Sequence, residues 1–454
     1  MLEEPTSLRI DDPGVRALFT EAARLQSWLD VEAALAEAQA ELGIIPEAAA
    51  REIVRKAHLE HLDLAAVRAG LAKTGHPLVP LVWALDQACE GDAGGYVHWG
   101  ATTQNVTQTG QLLQARRAHD IFLRQLAAVL TRLADLAERT KDVLLPGRTH
   151  GQHAVPATFG FKVAVWIDEL GRHVQRLQDC QGRVFVAMLG GGAGTLASLG
   201  ELGLATQEKM AARLGMRPMP VPARTIGDHQ AEYVLLLGML ASTCGKIGRE
   251  IYTLMKQEFG EVEEPVPPGT VGSSTMPQKR NPKLSQDIIA AAAQIRALVP
   301  LALEAMQTEH EADRTTSIMM SRALVQACEL TGDVLQRMIT LFEGLQVFPE
   351  RMRQNLDLSG GLIMAEALML ELGKQIGRQR AHDAVYEAAQ ASVTQSRPFR
   401  ETLADDPHVS ARLTAAQVEA LLDPARYTGL CSQFAERGAA VARALAASLG
   451  EGPT

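Results

Sequence analysis

The sequence predicts an all-α protein built around long helices. Ala, Leu, Glu, Gln and Arg are frequent, and aromatic residues make up 4% of the chain, a composition that favours helix over strand. No proline occurs between residues 98 and 145, and two further long segments of helical periodicity follow at about 231–259 and 284–348. Helices of this length bury their apolar faces in a bundle, so we predict a central long-helix bundle.

The predicted helices start near the N-terminus, where Asp12 and Pro13 supply a cap and a proline suited to a first helical turn. Apolar residues then recur at helical spacing from Leu25 to Ala36. The segment 284–348 contains one proline, Pro300, which should kink it. One apolar stripe marks the segment 98–145: Phe122, Leu126, Val129, Leu133 and Leu136.

The segment 284–348 also has a thin polar face. Residues 290–293 and most of 297–302 are apolar, so apolar side chains point in nearly every direction around the helix. A helix of this kind has to be covered on all sides. We therefore expect a homo-oligomer.

Turn-forming residues suggest two domain boundaries. The run Gly91-Asp92-Ala93-Gly94-Gly95 ends an N-terminal unit, and Val347-Phe348-Pro349 starts a C-terminal one. We predict a helical domain at 1–95, a central long-helix bundle with a candidate catalytic loop at 96–346, and a second helical domain at 347–454.

Composition excludes several classes of partner. The formal net charge is −9 and no basic tract is present, so neither nucleic acid nor an anionic membrane is expected. The acidic N-terminus lacks an apolar signal segment, and no uninterrupted apolar run reaches the ~20 residues of a membrane span. The five cysteines are scattered, which predicts neither a zinc site nor a disulfide framework. We expect a cytoplasmic protein without metal or organic cofactor.

The most informative stretch is Gly272-Ser273-Ser274-Thr275-Met276-Pro277-Gln278-Lys279-Arg280-Asn281-Pro282. It places a Gly-Ser-Ser turn, a cation and an amide between prolines, directly before a long predicted helix. Such loops on rigid scaffolds often carry chemistry, and these side chains are suited to a carboxylate ligand. A Ser-Ser pair after glycine alone would be an ordinary turn or cap.

This loop resembles the signature of the fumarase/aspartase superfamily, Gly-Ser-Ser-x-Met-Pro-x-Lys-x-Asn, at every fixed position. Two further stretches are similar to other conserved regions of that superfamily: Gly147-Arg148-Thr149-His150, which we expect at the start of a helix, and Gly100-Ala101-Thr102-Thr103-Gln104-Asn105, which alone would be an N-cap cluster. The resemblance implies a three-domain fold and a homotetramer whose active sites are shared between chains.

Elimination from a succinyl group explains why these residue types occur together. Removing a proton next to a carboxylate leaves a doubly charged aci-carboxylate, which needs several fixed hydrogen-bond donors. The resemblance implies that Ser273 is the base and that His150 protonates the leaving group. It also implies a set of residues that bind a small dicarboxylate or tricarboxylate substrate: His76, Thr102, Thr103, Asn105, Thr149, Ser274, Met276, Lys279 and Asn281.

Within the superfamily, the chain looks like the branch of adenylosuccinate lyase and 3-carboxy-cis,cis-muconate cycloisomerase. His150 favours a lyase that cleaves C–N or C–O and releases fumarate; the lactonising cycloisomerase is the alternative, and a crystallin-like structural protein is a third. Four positions depart from the pattern of adenylosuccinate lyases, in which charged residues are expected: Asn105, Gly227, Gln286 and Ala312. These departures weaken the case for a nucleotide substrate.

Overall fold

The computed structural model describes residues 10–266, 273, 275–276 and 278–450. Within them the chain is mainly helical, which confirms the predicted all-α class. The helices of the first half are α1 (Val15–Leu18), α2 (Glu21–Glu41), α3 (Glu47–Lys56), α4 (Leu64–Thr74), α5 (Val79–Ala88), α6 (Thr103–Arg139), α7 (Phe159–Val184) and α8 (Gly203–Arg213).

The helices of the second half are α9 (Asp228–Leu254), α10 (Lys283–Glu304), α11 (Arg314–Gly344), α12 (Pro349–Asp357), α13 (Ala365–Ile376), α14 (Arg378–Gln395), α15 (Phe399–Asp405), α16 (Pro407–Ser410), α17 (Ala415–Leu421) and α18 (Cys431–Gly450). Short 3-10 turns lie at Leu59–His61, Ala93–Tyr96, Gly200–Leu202, Leu362–Met364 and Pro424–Arg426. The strands are β1 (Leu144–Thr149), β2 (Gln152–Thr158), β3 (Val186–Ala187), β4 (Arg217–Pro218), β5 (Val262–Glu263) and β6 (Gln346–Val347).

Among the residues that the structure describes, the six strands form three two-stranded sheets. β1 pairs with β2 and β5 with β6 in antiparallel fashion, whereas β3 and β4 are parallel. The strands are short additions to a helical scaffold, and the pair β1–β2 carries one of the motifs identified above.

Helix α6 confirms the predicted long helix and its apolar stripe. Phe122, Leu126, Val129, Leu133 and Leu136 are at most 1% exposed. Local sequence sets helix ends elsewhere: Thr20 caps α2 through the Ala23 N–H, and Thr414 with Gln417 forms a capping box at α17.

The segment 284–348 differs from the prediction of one helix kinked at Pro300. Pro300 lies inside α10, and the chain instead breaks at 305–313, between α10 and α11. His310 has a positive φ of 51° there, and Asp313 caps α11 by accepting the Thr315 N–H at 2.8 Å. The predicted cap at Asp12 also differs, because Asp12 accepts the Gly14 N–H ahead of the short α1.

Helix α10 is unusually apolar for its exposure. By length and composition it could span a membrane, with a mean hydropathy of 1.3 over an 18-residue window. Only 28% of that window is buried inside the structure. Exposed apolar side chains on a long helix indicate a surface that another protein chain can cover.

The chain divides into two compact units. The first comprises the described parts of Met1–Gln125, Arg172–Gly245 and Ile288–Arg337; the second comprises those of Leu126–Gly171, Lys246–Asp287 and Met338–Thr454. Each unit thus combines part of the predicted central domain with one predicted terminal domain, and the boundaries at 95 and 346 remain predictions.

Candidate active site

The motif that contains His150 forms a tight β-hairpin in the second unit. β1 and β2 pair with Thr149 opposite Gln152, and the connecting residues His150 and Gly151 have φ values of 53° and 76°. Positive φ at both central positions is the pattern of a type I′ turn. The expectation that this motif starts a helix is therefore wrong: α7 begins later, at Phe159. Thr149 and His150 are exposed at the hairpin tip.

A buried ion pair anchors strand β1 of this hairpin close to its tip. The Arg148 guanidinium donates to the Glu261 carboxylate, with Nη1 and Oε2 3.2 Å apart, and Glu261 is fully buried. Asn355 Nδ2 donates to the same carboxylate at 2.7 Å. The Arg148 guanidinium also lies 5.0 Å from the centre of the Phe259 ring. These contacts fix the residue next to Thr149 and His150.

His153 is the second histidine of the hairpin. Burial, together with the charge of Arg148, lowers its pKa. Its Nδ1 is buried without a hydrogen-bond partner in the described part of the chain. His153 therefore stays neutral near pH 7, and His150 is the histidine that the hairpin presents to solvent.

The Ser273 hydroxyl is held by backbone donors. Its Oγ accepts the N–H of Thr275 at 3.4 Å and that of Met276 at 3.2 Å. Backbone N–H groups aimed at one oxygen stabilise negative charge on it. Met276 and Lys279 are exposed and Asn281 is half-buried, whereas Ser274 lies outside the described residues.

Glu264 joins the two ends of the segment that contains Ser273. Its buried carboxylate accepts the N–H of Leu284 at 2.8 Å and the N–H and Oγ–H of Ser285 at 3.1 and 3.0 Å. Burial raises the pKa of Glu264, and the three donors oppose that shift. Neither Glu261 nor Glu264 was predicted from the sequence; the three carboxylates of Glu261-Val262-Glu263-Glu264, between an apolar helix and a proline-rich stretch, were the available signal.

Thr102, Thr103 and His76 line a cavity of about 930 Å³ whose lining belongs entirely to the first unit. His76 Nδ1 accepts the N–H of Val79 at 3.1 Å and that of Leu78 at 3.3 Å, so the neutral ring carries its proton on Nε2. Nε2 faces Thr103 Oγ1 at 3.4 Å. Thr103 is also the first residue of α6, where unpaired backbone N–H groups favour an anion.

Asn105 has a different position. It is 1% exposed and does not line the cavity. Its Oδ1 accepts the N–H of Thr102 and the N–H of Gly191, both at 3.0 Å. This geometry lets Asn105 position Thr102 instead of contacting a substrate directly.

The predicted site residues thus form three groups. His76, Thr102 and Thr103 share the cavity of the first unit. Thr149 and His150 lie at the hairpin tip of the second unit, and Ser273, Met276, Lys279 and Asn281 follow the Glu264 anchor in the same unit. Their roles in catalysis and binding stay predictions.

Comparison with known proteins identifies the family. Residues 8–297 match the family model described as lyase, and residues 361–438 match adenylosuccinate lyase C-terminus. The chain belongs to the fumarase/aspartase superfamily of enzymes, in the branch of adenylosuccinate lyases and 3-carboxy-cis,cis-muconate cycloisomerases.

Three relatives illustrate the range of this branch. N-acetyl-S-(2-succino)cysteine lyase of Enterococcus italicus is 40% identical over 92% of this chain and 92% of that protein. Adenylosuccinate lyase of Methanothermobacter thermautotrophicus is 40% identical over 96% of this chain and 98% of its own. The crystal structure of the 3-carboxy-cis,cis-muconate lactonizing enzyme from Pseudomonas putida has a TM-score of 0.90 at 36% identity, covering 98% of this chain and 100% of that one.

Proposed function

We propose that the protein catalyses β-elimination from a succinylated small molecule and releases fumarate. The observation that carries this proposal is the Ser273 hydroxyl with its two backbone donors, Thr275 N–H and Met276 N–H. A serine removes a carbon-bound proton only as an alkoxide, and an alkoxide forms only where donors stabilise it. The two N–H groups supply that stabilisation.

The remaining residues have matching tasks in this proposal. Lys279 and Asn281 stabilise the aci-carboxylate formed when the proton leaves, while Ser274 and Met276 complete the loop. Thr102, Thr103 and Thr149 donate hydrogen bonds to the other carboxylate, with the start of α6 behind it. His150 protonates the departing atom, and His76 orients Thr103. These steps require neither a metal nor an organic cofactor.

We further propose that the groups meet between chains of a homotetramer. Thr149 and His150 are exposed on the hairpin tip, where they can reach a neighbouring chain. The apolar, largely exposed α10 offers a surface that such a neighbour would cover. The five cysteines are free, which fits a cytoplasmic location as part of the same proposal.

The proposal is compatible with nitrogen, oxygen or sulfur as the leaving atom. Sulfur is added because two relatives, 40% and 39% identical, are named N-acetyl-S-(2-succino)cysteine lyases. The second candidate function is lactonisation of 3-carboxymuconate, which the high structural similarity to the Pseudomonas putida enzyme supports. Both reactions move a proton at a carbon next to a carboxylate, but only the lyase has a departing group to protonate.

A fumarate-release assay tests the proposal. Purified protein is incubated with adenylosuccinate, argininosuccinate, aspartate and a set of S-succinylated thiols, beside a parallel lactonisation assay with 3-carboxymuconate. We expect fumarate from at least one compound, and release slower by roughly 10²-fold or more from the Ser273→Ala variant at equal concentration. Lactonisation without fumarate release would transfer the assignment to the cycloisomerase, and activity unaffected by Ser273→Ala would remove the serine from the mechanism.

A further inference from the structure

Three long helices begin at the wall of the first unit's cavity. α6 starts at Thr103, α9 at Asp228 and α11 at Arg314. The cavity is lined by Thr103, by Gly227 beside the start of α9, and by Arg314. The first turns of helices present N–H groups and the positive ends of helix dipoles. The cavity wall is therefore built to face negative charge.

Side-chain charge at the cavity has the same sign. Arg24, Arg224, Arg314 and Arg322 line it, and within the described residues none of them forms an ion pair with a carboxylate. Arg224 is fixed by neutral acceptors, Gln104 Oε1 at 3.0 Å and the Gly192 carbonyl at 2.7 Å. The guanidinium of Arg24 lies over the Trp28 ring, 5.5 Å from its centre. These positive charges remain available to a ligand.

The two carboxylates of the lining, Asp313 and Glu329, offset only part of the charge of the four arginines. Asp313 is engaged in capping α11 through the Thr315 N–H. Glu329 lies 4.0 Å from Arg16, which is not part of the lining, and burial raises the pKa of Glu329.

Gln230 gives an independent indication of a ligand. It lines the cavity and is 5% exposed, yet its side-chain amide makes no hydrogen bond with any described residue. The amide therefore has hydrogen-bonding capacity left over toward the cavity. An occupant of the cavity with polar atoms would satisfy it.

We propose that the group leaving the succinyl moiety carries a carboxylate of its own, which binds in this cavity to Arg314, Arg24 and Gln230. The inference rests on the proposed elimination. The succinyl part already has partners for its two carboxylates, at Thr102 and Thr103 and at the segment of Ser273, so the four arginines, offset by two carboxylates in the lining, exceed what it can use. An acidic leaving group accounts for them.

Matched substrates test this inference. One pair has sulfur as the leaving atom, a succinate bearing a 2-carboxyethylthio group and its carboxamide analogue; a second pair has nitrogen in the same place. For whichever linkage is cleaved, we expect kcat/KM for the carboxylate to exceed that for the amide by about tenfold or more, since a charge-assisted hydrogen bond is stronger than one between neutral groups.

Two variants of cavity residues test whether this cavity causes the preference for the carboxylate substrate. Arg314→Met and Gln230→Leu should each reduce it, mainly through KM for the carboxylate substrate, while KM for the amide changes little. Arg380→Met is the control, because it removes an exposed arginine of the second unit that has no partner among the described residues. Thermal melting of each variant shows whether it is folded.

The outcomes separate the two proposals. Fumarate release with equal kcat/KM for both members of a pair would overturn the acidic leaving group and leave the elimination intact. A preference that survived in both Arg314→Met and Gln230→Leu would also overturn it. No fumarate from either pair, together with none from the earlier screen, would overturn the elimination itself.

Discussion

At the scale of single residues, Ser273 is the position with the most direct chemical consequence. Ser273→Ala removes the oxygen that accepts the Thr275 and Met276 N–H groups and so removes the proposed base. We expect kcat to fall by roughly 10²-fold or more, with unchanged melting because Ser273 is only half-buried and its partners Thr275 and Met276 are exposed. Steady-state kinetics beside a melting curve measure both. Turnover within a factor of two of wild type, about 0.4 kcal/mol, would show that another group takes the proton.

His150 distinguishes the lyase from the cycloisomerase. Its φ of 53° is unfavourable for most side chains, but asparagine tolerates it, so His150→Asn removes the imidazole while retaining the turn. We expect kcat for elimination to fall by at least roughly tenfold, because a leaving nitrogen or oxygen needs a proton near neutral pH.

The measurement for His150→Asn is kcat against pH, with His153→Gln as the comparison on the same hairpin. Ring closure has no departing group, so a cycloisomerase would tolerate the change. An unaltered rate and pH profile would exclude His150 from the reaction.

At the scale of elements, Glu264 ties the segment containing Ser273 to the start of α10. Glu264→Ala leaves the buried N–H groups of Leu284 and Ser285 without their acceptor, which should cost about 2–4 kcal/mol of stability and reduce kcat by displacing Asn281. The control is Glu263→Ala, since the half-buried Glu263 side chain makes no hydrogen bond or ion pair with a described residue. Melting temperatures and kcat of the two variants should differ clearly; equal values would mean that Glu264 does not anchor the loop.

A second element-scale prediction concerns the segment before α6. His98 Nδ1 lies 2.6 Å from Oε1 of the buried Glu32. Burial alone would lower the His98 pKa, but the hydrogen bond and charge of Glu32 outweigh it and the pKa is raised. Protonated His98 therefore stabilises the fold fully below the unfolded pKa of about 6.5, and that stabilisation is lost as pH rises through the folded pKa.

The check for His98 is thermal unfolding from about pH 6 upward. The wild type should lose stability as pH increases through this range, and the loss should be smaller in Glu32→Gln, which has no carboxylate to hold the proton. Parallel pH curves for the two proteins would contradict the pairing.

The elements also show which parts of the structure the sequence could reveal. The α6 stripe was predictable because five apolar residues recur at helical spacing and all are buried. The break at 305–313 was not, since the segment contains neither proline nor glycine and ends through the positive φ of His310 and the Asp313 cap. The hairpin was missed because His-Gly is a weaker turn signal than Asn-Gly and because Pro146 and Pro156 are unusual opposite partners in a strand pair.

The site was predictable only in part for a similar reason. Local motifs identified Thr102, His150 and Ser273, but Gln230 and Arg314 reach the cavity through contacts between residues far apart in the chain. No local sequence motif around Gln230 or Arg314 identifies them as cavity residues. Glu261 and Glu264 anchor neighbouring segments through burial and hydrogen bonds, which sequence spacing does not reveal.

At the scale of the whole molecule, the exposed apolar face of α10 leads to a prediction about assembly. Light scattering at micromolar concentration should show a homotetramer. Ala293→Glu places a charge on an exposed position of α10 and should dissociate the assembly and abolish turnover, whereas Gln379→Glu, on an exposed position of α14, should do neither. An active monomer would contradict both the shared site and the assignment of α10 to the interface.

The cavity lining comes from the first unit alone, whereas the serine, the histidine and their buried glutamate anchors belong to the second. Under the proposed function, mutations that reshape the cavity for a new leaving group fall on different segments of the chain from those that preserve proton transfer. With this division, the substrate specificity of related enzymes can change during evolution while the elimination mechanism is retained. Relatives at 40% identity that are named as lyases of different substrates fit the pattern that this arrangement permits.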